Sequence, residues 1–175
     1  MEIQELFKQR CLGEAGAGHK DMLPHMEQIR DLAALCSHCT EFGVRTGQST
    51  VAILAGLNGR GPLHSYDVNP PEFQLACENW HFHKGRTNEI TAMEETDLLF
   101  VDTIHHADQV RAELNVAEPV VKRFIVFHDV IVNGWAGENS QPGILNAIFE
   151  FMAGKNWRVR EFHPSNWGLL VIERT

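Results

Sequence analysis

The sequence predicts an α/β fold in which a mostly parallel sheet is covered by helices. Short apolar runs typical of buried strands alternate with stretches that carry apolar residues at helical spacing, and this alternation is typical of parallel sheets. The strand-like runs are residues 37–42, 63–68, 97–102 and 123–129, and the helix-like stretches include residues 51–57, 108–121 and 142–153. Near the end of the chain, a Pro-Ser-Asn turn joins residues 157–163 to residues 167–174. So short a connection predicts an antiparallel strand pair.

Length and charge limit the classes of protein that this chain can represent. Its 175 residues are enough for one domain with a sizeable core. We expect residues 1–20 to form an N-terminal helix and a flexible lid segment, and residues 21–175 to form the single domain. The net charge of −8 argues against nucleic acid or an anionic membrane as a partner, because both attract basic patches. No apolar run approaches the ~20 residues of a membrane span, and the N-terminal run MEIQELFKQR is not a signal peptide, so we expect a cytoplasmic protein.

A turn with two glycines, within residues 40–50, is the most informative stretch of the chain. Its sequence, T-E-F-G-V-R-T-G-Q-S-T, predicts a buried strand that ends in a tight turn and leads into a helix. Gly43 and Gly47 lie where a side chain would block a ligand or force an unfavourable backbone angle. Ser49 and Thr50 are predicted to cap the helix, so that its free N–H groups face that ligand.

Two acidic residues at strand ends indicate which ligand this turn binds. Glu41 lies at the end of the first strand, where an open α/β sheet binds ligands, and its carboxylate favours a ligand with hydroxyls and a positive charge over a phosphate. Asp67 ends the next strand, 20 residues after Gly47, where an acid typically binds the hydroxyls of a ribose. The alternative for Asp67 is a turn-forming role before the Asn-Pro-Pro sequence.

Two later strands end in ionisable side chains. Asp102 and His105 follow one apolar run, and His128 and Asp129 follow the next. Carboxylates and imidazoles that converge at neighbouring strand ends form a site for a divalent cation or a general base. Because bringing them together costs desolvation, a functional role is favoured over a structural one.

Two other patterns contain residues that bind metals. Cys36 and Cys39 form a C-x-x-C sequence, but a zinc site needs two further ligands and a redox motif needs an exposed helix start, so we expect two buried apolar side chains. His81 and His83 lie at the end of a helix predicted at residues 71–83. This His-x-His pair is either a metal site or two surface histidines.

Several motifs in order resemble class I S-adenosylmethionine-dependent methyltransferases. The run E-F-G-V-R-T-G-Q-S-T resembles their motif I, and S-Y-D ending at Asp67 resembles motif II. The block D-L-L-F-V-D-T-I-H-H-A-D-Q-V-R-A-E-L, the strand F-I-V-F-H-D-V and the terminal W-G-L-L-V-I-E-R are similar to a small O-methyltransferase-like subgroup. That subgroup is related to cephalosporin-hydroxylase-type and catechol O-methyltransferase-like proteins, and the resemblance covers residues 21–175.

The resemblance implies a fold, a reaction and a set of site residues. The fold is a Rossmann-like three-layer sandwich with a seven-stranded sheet of order 3-2-1-4-5-7-6, whose last strand is antiparallel. The reaction is methylation of a hydroxyl on a small molecule or sugar-like substrate, with S-adenosylmethionine as cofactor and a divalent cation such as Mg²⁺ as an aid. The implied cofactor-binding residues are Glu41, Gly43, Val44, Arg45, Gly47, Ser49, Asp67 and Asp102. The implied metal ligands are Asp102, His128 and Asp129, and the implied catalytic residues are His105, His128 and Asp129, with either histidine as base when no metal is bound.

The sequence departs from the subgroup at three places. Thr103 and Ile104 replace the usual residues of the turn after Asp102, and His128 replaces a carboxylate, which favours a softer ion than Mg²⁺. A third strand is predicted at residues 87–93, which leaves almost no residues before the fourth strand. A parallel crossover needs a dozen or more residues. We therefore expect the crossover helix between strands three and four to be missing, strand three to be short, displaced or absent, and the adenine pocket to be open.

Three other functions remain open from the sequence. A nicotinamide-dependent dehydrogenase shares the fold but requires G-x-G-x-x-G, whereas this chain has G-x-x-x-G. A protein with this fold that binds the cofactor or a partner without catalysis is the main alternative, and a metal hydrolase is the third. The acceptor is not specified, although the loop at residues 131–143 is placed to cover it. The oligomeric state is also open, with a homodimer as one option.

Overall fold

A seven-stranded sheet forms the centre of the protein. The computed structural model describes residues 2–14 and 20–175. The strands are β1 Cys39–Phe42, β2 Leu63–Asp67, β3 Trp80–Lys84, β4 Thr96–Val101, β5 Val121–His128, β6 Trp157–His163 and β7 Leu169–Arg174. Their spatial order is β3-β2-β1-β4-β5-β7-β6, and β7 runs antiparallel to both of its neighbours while the other pairs are parallel. The predicted strand order and the antiparallel last strand are confirmed.

Helices pack on both faces of the sheet and produce two apolar cores. They are α1 Ile3–Cys11, α2 Met26–Ala33, α3 Gln48–Leu57, α4 Ala107–Ala117 and α5 Ile144–Met152. Strand β4 shows how the cores are divided, because successive side chains of a strand point to opposite faces. Leu98 and Phe100 pack in the core with α1, α2 and α3, whereas Leu99 and Val101 pack in the core with α4 and α5. The predicted three-layer arrangement is confirmed.

The N-terminal region joins this fold through α1. Leu6 and Phe7 of α1 are buried in the same core as α2 and α3. Residues 15–19, which form most of the predicted lid segment, lie outside the described residues. Among the described residues, no helix has the length and apolar character needed to cross a bilayer.

The connection between β2 and β4 differs from the prediction. The helix predicted at residues 71–83 is wrong, because residues 68–79 have no regular structure and Trp80–Lys84 is strand β3. Trp80 packs against the core while His81 is exposed, a period of two that belongs to a strand. The strand predicted at residues 87–93 is also wrong, since Thr87–Glu89 is a 3-10 turn.

As predicted, no α-helix connects strands three and four. Residues 85–95, all of them described, connect β3 to β4 with the 3-10 turn as their only helical segment. The third strand is displaced toward the N-terminus, which leaves eleven residues for the crossover. The β2-to-β3 connection also lacks an α-helix, so two helices of the expected pattern are missing rather than one.

Candidate active site

A cavity of about 560 Å³ opens at the carboxyl ends of β1, β2, β4 and β5. Ligands of open α/β sheets bind at this edge, and the volume is in the usual range for small-molecule sites. The residues that line it include Asp21, Gly43, Val44, Arg45, Asp67, Thr87, Asp102, Thr103, His105, Gln109, Asp129, Asn133 and Glu138. Seven of the residues predicted from the sequence are therefore in the lining, and they come from four separate strand ends.

Gly43 allows the ends of β1 and β4 to meet beside the cavity. Its φ angle is 90°, and a Cβ atom there would lie 1.8 Å from the carbonyl oxygen of Asp102. The N–H of Asp102 donates to the carbonyl of Phe42 at 2.8 Å. No side chain fits in this space, so the glycine brings Asp102 next to the turn after β1.

Gly47 faces an aromatic side chain instead of the cavity. Its φ angle is 73°, and a Cβ atom there would lie 2.0 Å from the ring of Phe73. Phe73 stacks on Trp80 at 5.1 Å, and the guanidinium of Arg10 lies 5.5 Å from the Phe73 ring. A glycine is therefore required at position 47 because the Phe73 ring packs against it, and not because a ligand does.

Glu41 is fully buried beneath the turn. Its carboxylate accepts hydrogen bonds from the hydroxyls of Ser49 at 2.6 Å, Thr50 at 2.8 Å and Ser65 at 2.6 Å. Burial raises the pKa of Glu41 to about 7, although the three hydroxyls act in the opposite direction. The prediction that Ser49 and Thr50 cap the helix is wrong, because both lie inside α3 and point at Glu41, and Gly47 is the N-cap. Neither Glu41, Gly47 nor Ser49 is part of the cavity lining.

Asp67 ties the end of β2 to the turn after β1. One carboxylate oxygen accepts the N–H groups of Val44 at 2.8 Å and Arg45 at 3.2 Å, and the other accepts the N–H of Asn69 at 2.9 Å. The half-buried side chain also lines the cavity. A carboxylate has about four acceptor positions, so ribose hydroxyls and these N–H groups can share it.

The ionisable residues at the ends of β4 and β5 converge as predicted. His105 Nε2 lies 2.9 Å from Asp129 Oδ2 and 3.2 Å from Asp102 Oδ1. His128 Nδ1 lies 2.9 Å from Asp129 Oδ1 and 3.6 Å from Asp102 Oδ1. Glu138, from the loop after β5, places Oε1 2.7 Å from His105 Nδ1. We call Asp102, His105, His128 and Asp129 the strand-end cluster.

Charges within the strand-end cluster stabilise one another. Burial disfavours the charged imidazoles, but the nearby carboxylates of Asp102 and Asp129 outweigh it and raise the pKa of His105 to about 11 and that of His128 to about 10. Burial also disfavours the charged carboxylates, yet the two histidines lower the pKa of Asp102 and that of Asp129. A protonated imidazole has no lone pair free to accept a proton, and a cation that His128 coordinates has to replace the proton on its ring nitrogen.

Several buried atoms in this region have no hydrogen-bond partner among the described residues. They are both ring nitrogens of His128, Oδ1 of Asp129 and Oδ1 of Asp21. The 2.9 Å contact between His128 and Asp129 is therefore close without being aligned as a hydrogen bond. In Asp21, His128 and Asp129, one potential ligand atom of each residue lies within 4.8 Å of the other two, and the same is true of Asp102, His105 and Asp129. Unpaired buried polar atoms are uncommon, and a bound cation satisfies them.

Asp21 and Glu113 are residues of the site that sequence reasoning missed. Asp21 precedes α2 and lies close to the strand-end cluster, but nothing in the sequence around it predicts this contact. Glu113, the last acid of the D-L-L-F-V-D block, is fully buried and accepts hydrogen bonds from Thr103 at 2.8 Å, Gln109 at 2.7 Å and the hydroxyl of Thr87. Glu113 thereby holds three lining residues in place, and its position within that block was the available signal.

Comparisons with known proteins agree with this geometry. A family described as "Methyltransferase domain" matches residues 40–130, from β1 to just after β5. A search of the curated proteins gave no significant match.

Among solved structures, a putative O-methyltransferase from Klebsiella pneumoniae is similar over 100% of this chain and 90% of its own, with 14% identity and a TM-score of 0.70. An O-methyltransferase from Bacillus cereus, solved in complex with SAH, is similar over 99% and 90%, with 15% identity and a TM-score of 0.65. An O-methyltransferase of tomaymycin synthesis from Streptomyces achromogenes, solved in complex with SAM, is similar over 100% and 90%, with 15% identity and a TM-score of 0.66. With the family match over half of its length, the chain belongs to the methyltransferase domain family, and its fold is that of class I S-adenosylmethionine-dependent O-methyltransferases.

Proposed function

We propose that the protein transfers the methyl group of S-adenosylmethionine to a hydroxyl of a small-molecule or sugar-like acceptor, with a divalent cation at the strand-end cluster. One observation carries the proposal. The Gly43 turn with Asp67 and the strand-end cluster with Asp102 and Asp129 line the same cavity. The first group suits a cofactor with hydroxyls and a positive charge, and the second suits the activation of an acceptor oxygen.

The cofactor side of the cavity is formed by the turn after β1. Gly43 lets the turn after β1 lie directly against the backbone of Asp102, and Asp67 provides acceptor positions for ribose hydroxyls. Two of the similar structures contain SAM or SAH, which supports the same cofactor here. S-adenosylmethionine, when bound, supplies an activated methyl group, so the residues need only align the acceptor and deal with its proton.

The acceptor side of the cavity is formed by the strand-end cluster. We assign the cation to Asp102, His128 and Asp129, with the unpaired carboxylate oxygen of Asp21 as a fourth candidate ligand. Ligand atoms of His128 and Asp129 lie close to one of Asp21, and a ligand atom of Asp102 lies close to those of His105 and Asp129. A cation there lowers the pKa of a bound hydroxyl. One imidazole among carboxylates suits Mn²⁺, Fe²⁺ or Zn²⁺ better than Mg²⁺. Glu138 fixes the ring of His105 at the edge of this group, which orients its Nε2 toward Asp129.

Calorimetry and a methylation assay test the proposal. S-adenosylhomocysteine should bind the wild-type protein, and Asp67→Ala should weaken binding roughly tenfold or more, because charge-assisted hydrogen bonds to the ribose are lost. Asp129→Asn should retain that binding but abolish turnover on a panel of phenols, catechols and sugars supplied with Mn²⁺ or Mg²⁺. The matched control is Asp108→Asn, an exposed acid that pairs with Arg111 outside the cavity.

Two outcomes would contradict the proposal. Absence of S-adenosylhomocysteine binding at millimolar concentration would rule out the cofactor. Binding without turnover on any acceptor, with and without metal, would favour the alternative of a non-catalytic cofactor-binding protein.

A further inference from the structure

A group of histidines lies on the sheet face left without a crossover helix. His64 of β2 shares its face with Tyr66, two residues further along, and Tyr66 packs against the core of α4 and α5. His83 of β3 stacks on Tyr66 at 4.6 Å and on His64 at 5.2 Å. No α-helix occurs between β2 and β4, a stretch that is fully described. Imidazole rings thus occupy part of the surface that a helix would otherwise cover.

His64 is at the centre of this group. Its ring centroid lies 5.2 Å from that of His38 and 4.9 Å from that of His81. His64 Nδ1 is 3.0 Å from His83 Nε2, within hydrogen-bond distance, and His64 Nε2 is 3.9 Å from Glu94 Oε2. The hydrogen bond on Nδ1 leaves Nε2 directed toward the carboxylate.

Three of these residues have the spacing of a metal site. His38, His64 and Glu94 can place one ligand atom each within 4.8 Å of the others. Ligand atoms in a tetrahedral zinc site are about 3.3 Å apart, given Zn–N distances of about 2.0–2.1 Å. Small side-chain rotations therefore close the site, and the exposed Glu94 side chain is free to make them.

A second observation points to a ligand at the same place. Nε2 of His38 is buried and has no hydrogen-bond partner in the part of the chain that the structure describes. A buried imidazole nitrogen without a partner is costly, and metal coordination satisfies it.

We propose that His38, His64 and Glu94 bind a borderline-soft divalent cation, with Zn²⁺ as the best fit, at a site separate from the strand-end cluster. Two imidazoles and one carboxylate form a set that leaves a fourth position for water or His81. His83 is not a ligand in this arrangement; the N–H at Nδ1 of His64 donates to Nε2 of His83, which leaves Nε2 of His64 free to coordinate. The bound ion links the entry to β1, strand β2 and the β3-to-β4 connection, where the fold lacks a helix.

Zinc titration in a variant without the strand-end site tests the proposal. Asp129→Asn removes a ligand shared by both candidate clusters at the cavity and leaves the histidine group intact. After chelator treatment and dialysis of the full chain, this variant is titrated with Zn²⁺ against a chromophoric chelator, and its thermal unfolding is followed with and without Zn²⁺. We expect one equivalent to bind and to raise the melting temperature.

Two further substitutions in that background identify the ligands. His64→Ala and Glu94→Gln should each weaken Zn²⁺ binding roughly tenfold or more and reduce the melting shift. Glu94 is exposed, so its variant remains folded even when the His64 variant does not. His163→Ala is the matched control, a half-buried histidine paired with Glu161 outside the group. An unchanged zinc affinity in Glu94→Gln, or no binding to Asp129→Asn, would overturn the proposal, and neither result bears on S-adenosylhomocysteine binding.

Discussion

Replacing Glu41 by glutamine should change how the stability of the protein depends on pH. In the folded state, burial holds the pKa of Glu41 at about 7, whereas its ordinary value is 4.5. The folded protein therefore favours the protonated carboxyl. This contribution to stability is fully present below the unfolded pKa and is lost as pH rises through the folded pKa, that is, from about 4.5 to about 7.

The expected magnitude follows from that difference in pKa. At about 1.4 kcal/mol for each pKa unit, the difference between about 7 and 4.5 corresponds to about 3 kcal/mol. Glutamine does not titrate and keeps an oxygen that accepts from Ser49, Thr50 or Ser65. The stability of Glu41→Gln relative to wild type should therefore rise by about 3 kcal/mol between pH 4.5 and pH 8.

Urea unfolding at pH 4.5 and pH 8 measures the effect. Taking the difference between variant and wild type removes the contributions of all other titrating groups. Glu78→Gln, on the exposed surface, is the matched control and should show no comparable change. A constant difference between Glu41→Gln and wild type across this pH range would refute the reasoning. The same variant should bind S-adenosylhomocysteine nearly as well as wild type, since Glu41 does not line the cavity.

Three further predictions concern the walls of the cavity. Gly43→Ala should lower the free energy of unfolding by about 2 kcal/mol or more beyond the loss in the control Gly59→Ala. Both glycines have positive φ, but only a Cβ at Gly43 meets backbone atoms. Equal losses of unfolding free energy in urea would contradict this. Glu113→Ala should cost about 2 kcal/mol or more, since it removes the acceptor of the Thr87, Thr103 and Gln109 side chains, two of which are buried. It should also weaken S-adenosylhomocysteine binding, whereas a loss of stability alone would exclude its role in the cavity wall. Asp21→Asn should weaken Mn²⁺ binding, measured by calorimetry, without changing S-adenosylhomocysteine binding, and unchanged Mn²⁺ affinity would exclude Asp21 as a ligand.

The strand-end cluster was predictable because its signal is local. Each of its strands is an unbroken apolar run followed at once by ionisable residues, and parallel strands present their carboxyl ends at one edge. Asp102, His105, His128 and Asp129 therefore had to converge once β4 and β5 were neighbours. Their charge state was not predictable, because it depends on distances of about 3 Å between side chains from different strands.

The role of Glu41 was not predictable because it depends on strand register. The parallel pairing of β1 and β2 places Ser65 beside Glu41, although 24 residues separate them in sequence. A carboxylate before a glycine turn looks the same in sequence whether it faces a ligand or three hydroxyls. Strand β3 was missed for a similar reason, since the alternation in W-H-F-H has meaning only beside β2.

The hydrogen bonds of Glu41 also explain how the edge strand β3 is held without helices beside it. The indole N–H of Trp80, in β3, donates to the hydroxyl of Ser65 at 3.0 Å, and that hydroxyl donates to Glu41. The ring of Trp80 stacks on Phe73, which fills the space in front of Gly47. One continuous set of contacts therefore joins the edge of the sheet to the turn after β1. A shift of β3 displaces the same residues that shape the cofactor side of the cavity, so loss of the Trp80 indole should weaken S-adenosylhomocysteine binding even though Trp80 is not in the cavity lining.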